Sequence, residues 1–342
     1  MQKQKTALVL GAGGFIGHHM VKRLKAEGYW VRGVDVKKPR WSQPVADEFI
    51  EFDLRNKVGF VQLLITPFDS TFDEIYQFAA DMGGADYVFS GKHDADVMYS
   101  SGQINLNLVS SQVVLNDCYK LNKTKIFYSS SACVYPKHNQ LDPDNPNCVE
   151  DSAYPADPDS DYGLEKLFSE RLFLAYCRNY GIPVRVARYH NIFGPESDWE
   201  GERAKSPAAI CRKVILSGET GGIVPIYGDG EQTRSFLYID QCIEATRRFM
   251  ESDFMGPVNI GSEEMITINN LAKMAASFED KDIKIEHISG PLGVRGRNSD
   301  KTLYEKMVGP MAFQPLRVGL RKTYDWIKDQ VKVKYFSQVN QE

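Results

Sequence analysis

The sequence predicts an α/β protein with a doubly wound parallel sheet and a smaller, mixed C-terminal lobe. Apolar strands alternate with amphipathic helices over roughly the first half of the chain, and a glycine-rich turn follows the first strand. Beyond that half, short elements and loops rich in Gly, Pro and charge replace the alternation. Alternating strands and helices are typical of a parallel sheet with helices on both faces. We therefore divide the chain into residues 1–190 and 191–342, with part of the second segment returning to the first.

The first segment supplies most of the predicted strands and helices. After the strand "TALVL", apolar residues recur at helical spacing until Gly28, which is expected to end the helix. The remaining predicted strands are "YWVRGVD", "EIYQFAA", "KIFYSSS" and "PVRVARY". Helices are predicted near residues 104–121 and over "YGLEKLFSERLFLAYCRNYG" in this segment, and near 206–217, 268–280 and 317–330 in the second.

The composition is typical of a globular enzyme and excludes several other classes. Of 342 residues, 42% are hydrophobic and 25% charged, and the net charge of −4 gives no general attraction to nucleic acid or anionic lipid. Six scattered cysteines without a CxxC pair fit neither a disulfide framework nor a zinc site, so no metal is expected. The first apolar run is too short to span a membrane and lacks a cleavage pattern. We expect a cytoplasmic protein.

The turn "GAGGFIG" predicts a dinucleotide-binding site of the Rossmann type. Gly11, Gly14 and Gly17, with Phe15 and Ile16 between them, connect a strand to a helix whose N-terminus favours a pyrophosphate. Asp35 ends the second strand, where its carboxylate is expected to bind both ribose hydroxyls and to repel a 2′-phosphate. The cofactor is therefore predicted to be NAD. Asp53 is assigned to the adenine side, although a helix N-cap fits it nearly as well.

The segment "YGLEK" supplies a candidate catalytic pair. Tyr162 and Lys166 are four residues apart, so they share one face of the predicted helix. A neighbouring ammonium is expected to lower the pKa of the tyrosine, which can then remove a hydroxyl proton during oxidation of an alcohol. A packed aromatic ring beside a solvated lysine is the common alternative, but the upstream glycine turn and "SSS" favour catalysis.

Together these motifs resemble the extended short-chain dehydrogenase/reductases, which include nucleotide-sugar epimerases and dehydratases. The resemblance assigns Ser131, before "VY", to supporting the tyrosine. Cys133 stands where the 4,6-dehydratases of this superfamily carry a glutamate and simple 4-epimerases a small or hydroxyl residue. The residues alone leave open whether Cys133 is a base or a buried apolar side chain.

The chain is most similar in pattern to the GDP-mannose 3,5-epimerase family. The matching segments run in the family's order from residue 11 to residue 300 and include "AADMGG", "SSACVYP", "AKSPAAICRK", "GDGEQTRSF" and "GVRGRNSD". The resemblance implies that Cys133 and Lys205 exchange protons with opposite faces of a sugar oxidised at C4. GDP-D-mannose would give GDP-L-galactose, with GDP-L-gulose left open as a second product. It also implies a homodimer.

Further residues match substrate-contacting positions of that family. Besides Ser131 and Lys205, they are Gly83, Asn191, Lys213, Gln232, Arg234 and Arg297, and the arginines are expected to bind the diphosphate. Residues 85–103 depart from the plant-type pattern and could change the choice of sugar or base. The alternatives are an epimerase acting only at C4 or C5 of another nucleotide hexose and, more remotely, a non-catalytic NAD-binding sensor.

Overall fold

The computed structural model of the protein describes residues 4–119, 124–291 and 293–339. Within these ranges fourteen strands are assigned, in chain order β1 (Thr6–Leu10), β2 (Trp30–Asp35), β3 (Glu48–Glu51), β4 (Glu74–Gln77), β5 (Lys125–Ser131), β6 (Val184–Tyr189), β7 (Ile192–Phe193), β8 (Ile223–Tyr227), β9 (Thr233–Ser235), β10 (Leu237–Tyr238), β11 (Val258–Ile260), β12 (Met265–Thr267), β13 (Lys284–Ile288) and β14 (Gly296–Arg297). The α-helices in the same ranges are α1 (Phe15–Ala26), α2 (Phe60–Leu63), α3 (Ala85–Val88), α4 (Asp94–Tyr119), α5 (Asp161–Tyr180), α6 (Ser206–Leu216), α7 (Ile239–Glu251), α8 (Ile268–Ala276), α9 (Thr302–Met307) and α10 (Leu316–Val339).

The predicted α/β class is confirmed by a seven-stranded parallel sheet in the order β11-β6-β5-β4-β1-β2-β3. The chain starts in the middle of this sheet, builds outward to β3, and then returns past β1 to β4. Ligands of such sheets bind at the carboxyl ends of the strands, where the direction of winding changes. This topology places the candidate site beyond the ends of β1, β4 and β5.

The sheet is buried on both faces because successive side chains of each strand point in opposite directions. In β1, Ala7 and Val9 join one core cluster, whereas Leu8 and Leu10 join the other. The first cluster includes side chains of α1 and α7, and the second includes side chains of α4 and α5. Near-continuous apolar strands such as "TALVL" are therefore explained by helices on both sides.

The chain beyond residue 190 forms smaller sheets and helices above the carboxyl edge of the main sheet. Strand β9 pairs with β12 and β14, and β8 pairs in parallel with β13. Strand β11 instead pairs with β6 and completes the main sheet. Among the described residues, no helix combines the length and apolar character that crossing a membrane requires.

Several element boundaries differ from the sequence predictions. Helix α4 begins at Asp94, ten residues before the predicted start. The prediction omitted its first turns because they are largely polar and show no apolar stripe. The predicted residue 121 of that helix lies outside the described residues. Strand β4 ends at Gln77, where the Gln77 side chain bonds to Ala79 and starts the loop into the cavity.

Candidate active site

One cavity of about 970 Å³ lies at the carboxyl ends of the main-sheet strands and extends beneath the C-terminal lobe. All the residues predicted for cofactor, catalysis and substrate contribute to its wall. These residues are Gly11, Gly14, Phe15, Ile16, Gly17, Asp35, Asp53, Gly83, Ser131, Cys133, Tyr162, Lys166, Asn191, Lys205, Lys213, Gln232, Arg234 and Arg297. Residues separated by almost 290 positions in the chain therefore surround a single volume.

The turn after β1 has the geometry that a dinucleotide requires. A side chain at Gly17 would bring its Cβ within 2.1 Å of the Gly11 carbonyl oxygen, so only glycine allows α1 to approach the turn this closely. Gly14 occupies the N-cap position of α1 and has no side chain with which to bond the first amides of the helix. These amides and the positive end of the helix dipole fit a pyrophosphate.

Asp35 lies at the end of β2, in the part of the cavity next to this turn. Its Oδ2 accepts a hydrogen bond of 3.0 Å from the Gly13 amide, and its Oδ1 accepts one of 3.3 Å from the Lys37 amide. Burial raises the pKa of Asp35, and these amide donors partly offset the effect. The carboxylate and the glycine turn together fit the ribose and pyrophosphate of NAD.

Asp53 is more exposed and belongs to a turn rather than a helix N-cap. Its Oδ1 accepts a hydrogen bond from the Arg55 amide, and its carboxylate pairs with the Arg55 guanidinium at 2.7 Å. The first following helix, α2, begins only at Phe60. The structure thus places Asp53 on the cavity wall but leaves its contact with adenine a prediction.

Helix α5 carries the Tyr162 and Lys166 side chains against the end of β5. Ser160 caps the helix by accepting a hydrogen bond of 3.2 Å from the Gly163 amide. A Cβ at Gly163 would lie 2.1 Å from the Cys133 carbonyl oxygen, so a glycine is needed for the helix to pack against the turn that follows β5. This close approach brings Tyr162 beside both Ser131 and Cys133.

The pKa values of Tyr162 and Lys166 differ from those expected from the sequence. The pKa of Tyr162 is raised, mainly by burial, and a hydrogen bond with Ser131 opposes the increase. Burial also lowers the pKa of Lys166, whose Nζ donates a hydrogen bond of 3.1 Å to the Ser129 carbonyl oxygen. The ammonium lies 5.6 Å from the centre of the Tyr162 ring. Desolvation therefore outweighs the expected lowering of the tyrosine pKa by the lysine.

Cys133 and Lys205 both line the cavity, and their charged forms attract each other. Lys205 is the N-cap residue of α6, immediately before the Ser-Pro start of that helix. Burial raises the pKa of Cys133 and lowers the pKa of Lys205, so each group favours its neutral form. The Cys133 amide donates to Ser131 Oγ at 3.2 Å, which fixes the turn carrying the thiol.

Arg297 lines the cavity, and its guanidinium also contacts protein acceptors. Its Nε donates to Gln140 Oε1 at 2.6 Å, its Nη2 donates to Asp159 Oδ2, and its Nη1 donates to Cys133 Sγ at 3.3 Å. The side chain is only about 5% exposed. The guanidinium therefore faces the thiol, and its three nitrogen atoms already bind protein acceptors.

The other predicted substrate residues also line the cavity, and most of them belong to the C-terminal lobe. Asn191 donates to the Ser235 carbonyl oxygen, Lys213 to that of Pro225, and Gln232 to that of Tyr227. Burial and the charge of Arg297 lower the pKa of Arg234 to about 9. Gly83 belongs to the loop after β4, where a side chain would clash with the Tyr87 ring.

Residues 81–93, which include the single helical turn α3, form a connection that is attached to the segment leading to Lys205. Arg203 donates to Asp81 at 2.9 Å and to the Met82 carbonyl oxygen at 2.6 Å, and its guanidinium lies over the Tyr87 ring. Tyr87 also stacks on His93, with ring centres 4.0 Å apart. The unusual segment 85–103 thus contributes to the cavity wall next to the predicted proton donor.

Asp159, Gln140 and Arg203 are further residues of the site that no sequence motif indicated. The first two are buried beside the cavity and meet Arg297, whereas Arg203 lies on its rim. Asp159 belongs to "DPDSD", where nothing local distinguishes a buried carboxylate from exposed ones. Its position directly before the Ser160 cap is the only sequence signal that connects it to the catalytic helix.

Comparison with known proteins identifies the same group of enzymes. The model of the NAD dependent epimerase/dehydratase family matches residues 7–261. The GDP-mannose 3,5-epimerase of Arabidopsis thaliana is 42% identical over 327 residues, which cover 95% of this chain and 82% of that protein. GDP-mannose 3,5-epimerase 1 of Oryza sativa subsp. indica gives the same identity and coverage.

Solved structures confirm the fold. UDP-glucose 4-epimerase from Thermotoga maritima, crystallised with UDP-glucose, superposes with a TM-score of 0.80 at 25% identity, covering 95% of this chain and 99% of the other. A mutant of UDP-glucuronic acid 4-epimerase from Bacillus cereus, in complex with NAD and a fluorinated sugar nucleotide, gives a TM-score of 0.77 at 24% identity, with coverage of 95% and 99%.

Proposed function

This chain belongs to the NAD dependent epimerase/dehydratase family, and on that premise we propose that it epimerises GDP-D-mannose at C3 and C5 to GDP-L-galactose. The proposal also allows GDP-L-gulose, the product of inversion at C5 alone. It is supported by 42% identity to GDP-mannose 3,5-epimerases over nearly the whole chain. The main structural support is that the Cys133 thiol lines one cavity together with the Tyr162/Lys166 pair and the Lys205 amine.

The protein is an NAD-dependent enzyme, since that is the cofactor of its family. The turn at Gly11, Gly14 and Gly17 would hold the pyrophosphate, and Asp35 the adenosine ribose. When bound, NAD supplies the reversible oxidation of the hexose at C4. The chain's own residues must then move the protons.

Tyr162 would take the proton of the C4 hydroxyl and return it at the end of the cycle. Ser131 supports the phenolic oxygen in this role, because a hydrogen bond from a hydroxyl stabilises the phenolate. Lys166 anchors the face of α5 that carries the tyrosine through its bond to the Ser129 carbonyl. Loss of this proton, together with the two-electron oxidation at C4 that bound NAD would supply, would leave a carbonyl at C4 of the sugar.

Cys133 and Lys205 would carry out the inversion next to that carbonyl. The hydrogens at C3 and C5 are acidified because the carbanion formed by removing either one is delocalised onto the C4 oxygen. The Cys133 thiolate takes such a proton, and the Lys205 ammonium returns one from the opposite face. Each inversion therefore consumes one proton from the amine and adds one to the sulfur, so both groups exchange with solvent between turns.

The two segments of the chain would divide the binding of cofactor and substrate between them, and the protein would be cytoplasmic. Residues 1–190 would bind the cofactor and residues 191–342 mainly the substrate, with Gly83 from the first segment and Asn191, Lys213, Gln232 and Arg234 from the second near the nucleotide sugar. Six free cysteines support a reducing, cytoplasmic location.

A homodimer formed through α4 and α5 is the proposed assembly. The two helices pack side by side and leave large apolar side chains in solvent, among them Tyr99 at 62%, Val114 at 51% and Phe168 at 53% exposure. Two helices from each of two chains would bury these side chains around a twofold axis, because one patch meets its own copy.

Incubation of the purified protein with GDP-mannose in deuterium oxide tests the function. We expect deuterium at both C3 and C5 of recovered sugar nucleotides. Exchange at neither carbon would contradict the proposal. Exchange at C5 alone, or turnover only of another nucleotide hexose, would favour the narrower epimerase, and NAD binding without turnover of any sugar nucleotide would favour the sensor.

A further inference from the structure

The sulfur of Cys133 lies against a buried cation rather than in a purely apolar pocket. Arg297 Nη1 donates a hydrogen bond to Sγ at 3.3 Å, and both residues line the same end of the cavity. An arginine in contact with a cysteine favours the thiolate. Left unopposed, such a cation would increase the thiolate fraction and with it the susceptibility of the thiol to oxidation.

Asp159 provides the opposing charge. Its Oδ2 accepts a hydrogen bond from Arg297 Nη2, and its exposed fraction is only about 7%. The Asp159 amide is within 3.4 Å of the Cys133 carbonyl oxygen, so the carboxylate is attached to the same turn as the thiol. Arg297 therefore bridges a sulfur and a carboxylate that compete for its positive charge.

The orientation of this bridge is fixed from both ends. Gln140 donates to the carbonyl oxygens of Tyr135 and Pro136, which turns its Oε1 toward Arg297 Nε. The other oxygen of Asp159 accepts from the Ser160 hydroxyl at 2.8 Å, and that hydroxyl also caps α5. The bridge is thus connected to the start of the helix that carries Tyr162.

We propose that Asp159 is a positioning residue. Its carboxylate orients the Arg297 guanidinium on the Cys133 sulfur and partly neutralises the charge of the guanidinium. Asp159 and Arg297 together then set the pH at which the thiol releases its proton. This role deepens the proposed epimerisation and rests on it for its catalytic meaning. The bridge itself consists of contacts within the protein and is open to test without substrate.

The electrostatic environment of the thiol supports this assignment. Asp159 raises the pKa of Cys133 and Arg297 lowers it, while burial is the largest cause of the net increase. Six charged or titratable side chains interact electrostatically with the Cys133 thiol: Asp159, Tyr162, Lys166, Lys205, Arg234 and Arg297. Asp159 is the carboxylate in this set.

The test is the pH dependence of Cys133 alkylation by iodoacetamide in the NAD-loaded protein, followed at the Cys133 peptide by mass spectrometry. Asn retains an acceptor for Arg297 but not the charge, so Asp159→Asn should move the midpoint of alkylation down by about one pH unit. Arg297→Gln should move it up by a similar amount. Asp157→Asn is the matched control, because that neighbouring carboxylate is largely exposed and pairs only loosely with His138.

An unchanged or raised midpoint in Asp159→Asn, or an equal shift in Asp157→Asn, would overturn the proposal. If Asp159→Asn fails to fold, judged by circular dichroism, Arg297→Gln decides: an unchanged midpoint in that variant also overturns it. The acid limb of deuterium exchange into GDP-mannose should shift with the alkylation midpoint. Shifted alkylation without any exchange would support the bridge and reject the substrate, whereas exchange without shifted alkylation would reject the bridge alone.

Discussion

Cys133 and Lys205 line the same cavity, and their proton affinities determine when the proposed epimerisation can occur. Burial raises the pKa of Cys133 above its ordinary value of 9.0 and lowers the pKa of Lys205 below its ordinary value of 10.5. The reaction needs the thiolate and the ammonium together. Because the two groups interact, the observed pKa values belong to the pair rather than to either residue.

We predict a bell-shaped pH dependence of exchange at C3 and C5, with its maximum on the alkaline side of neutrality. The rate should rise as pH increases through the thiol pKa, because the base form accumulates. It should fall as pH increases further, because Lys205 loses the proton that it must donate. The measurement is the rate of deuterium incorporation at constant ionic strength, and an acid limb well below neutral pH would contradict the burial argument.

The sequence predicts the chemical groups of the site but not their mutual contacts. Cys133, Tyr162 and Lys166 lie in short motifs whose spacing and neighbours indicate a role. In contrast, the acceptors of Arg297 are 138 and 157 residues away in the chain, and only the complete fold brings them together. For the same reason the sequence does not reveal the contacts of Arg297 with Asp159, Gln140 and the Cys133 thiol.

Among the structural elements, the glycine turn was predictable from the sequence, whereas the connection over residues 81–93 was not. The turn is determined locally, because a Cβ at Gly17 would collide with the backbone of the same turn. The connection over residues 81–93 is instead held by contacts of its Asp81, Tyr87 and His93 side chains with the segment that contains Arg203. No periodicity in the sequence reports such contacts.

We predict that Arg203→Ala slows exchange at C3 and C5 by about tenfold or more, because small displacements of a catalytic group are costly in rate. Arg203 precedes Lys205 by two residues and ties its segment to Asp81 and Met82. Oxidation at C4, measured by the absorbance of the reduced cofactor, should be nearly unchanged, since Tyr162 and Lys166 lie on α5.

The matched control for that prediction is Arg321→Ala. Arg321 is exposed to a similar extent and pairs with Asp325 on α10. Both substitutions should change the free energy of unfolding by no more than about 0.5 kcal/mol, as is usual for exposed positions. Equal effects of the two variants on exchange, or an equal loss of C4 oxidation and exchange in Arg203→Ala, would contradict a specific role for the Lys205 segment.

For the whole molecule, the alternation of strands and helices was sufficient to predict the doubly wound sheet. It did not predict that β11, three residues within the C-terminal segment, completes that sheet beside β6. A strand this short, in an irregular segment, has no pattern that distinguishes it from a loop. Its place depends on the register with β6, which is a property of the assembled fold.

The proposed homodimer gives a prediction at this scale. Phe168→Glu should convert the protein from twice the mass of one chain to the monomer, because a buried carboxylate would be introduced on both sides of the twofold axis. Val318→Glu is the control, since Val318 is also exposed but lies on α10. Sedimentation equilibrium measures both variants. A monomeric native protein, or a dimer that survives Phe168→Glu, would contradict the α4/α5 interface.

In the proposed epimerisation, the Cys133 sulfur and the Lys205 amine exchange protons with the carbons beside an oxidised C4. Deuterium incorporation at C3 and C5 of GDP-mannose, measured by NMR for the native protein and for Cys133→Ala, tests it most directly. We expect incorporation at both carbons in the native protein and none in the variant, which should retain its NAD. Full incorporation in Cys133→Ala, or none in the native protein, would contradict it.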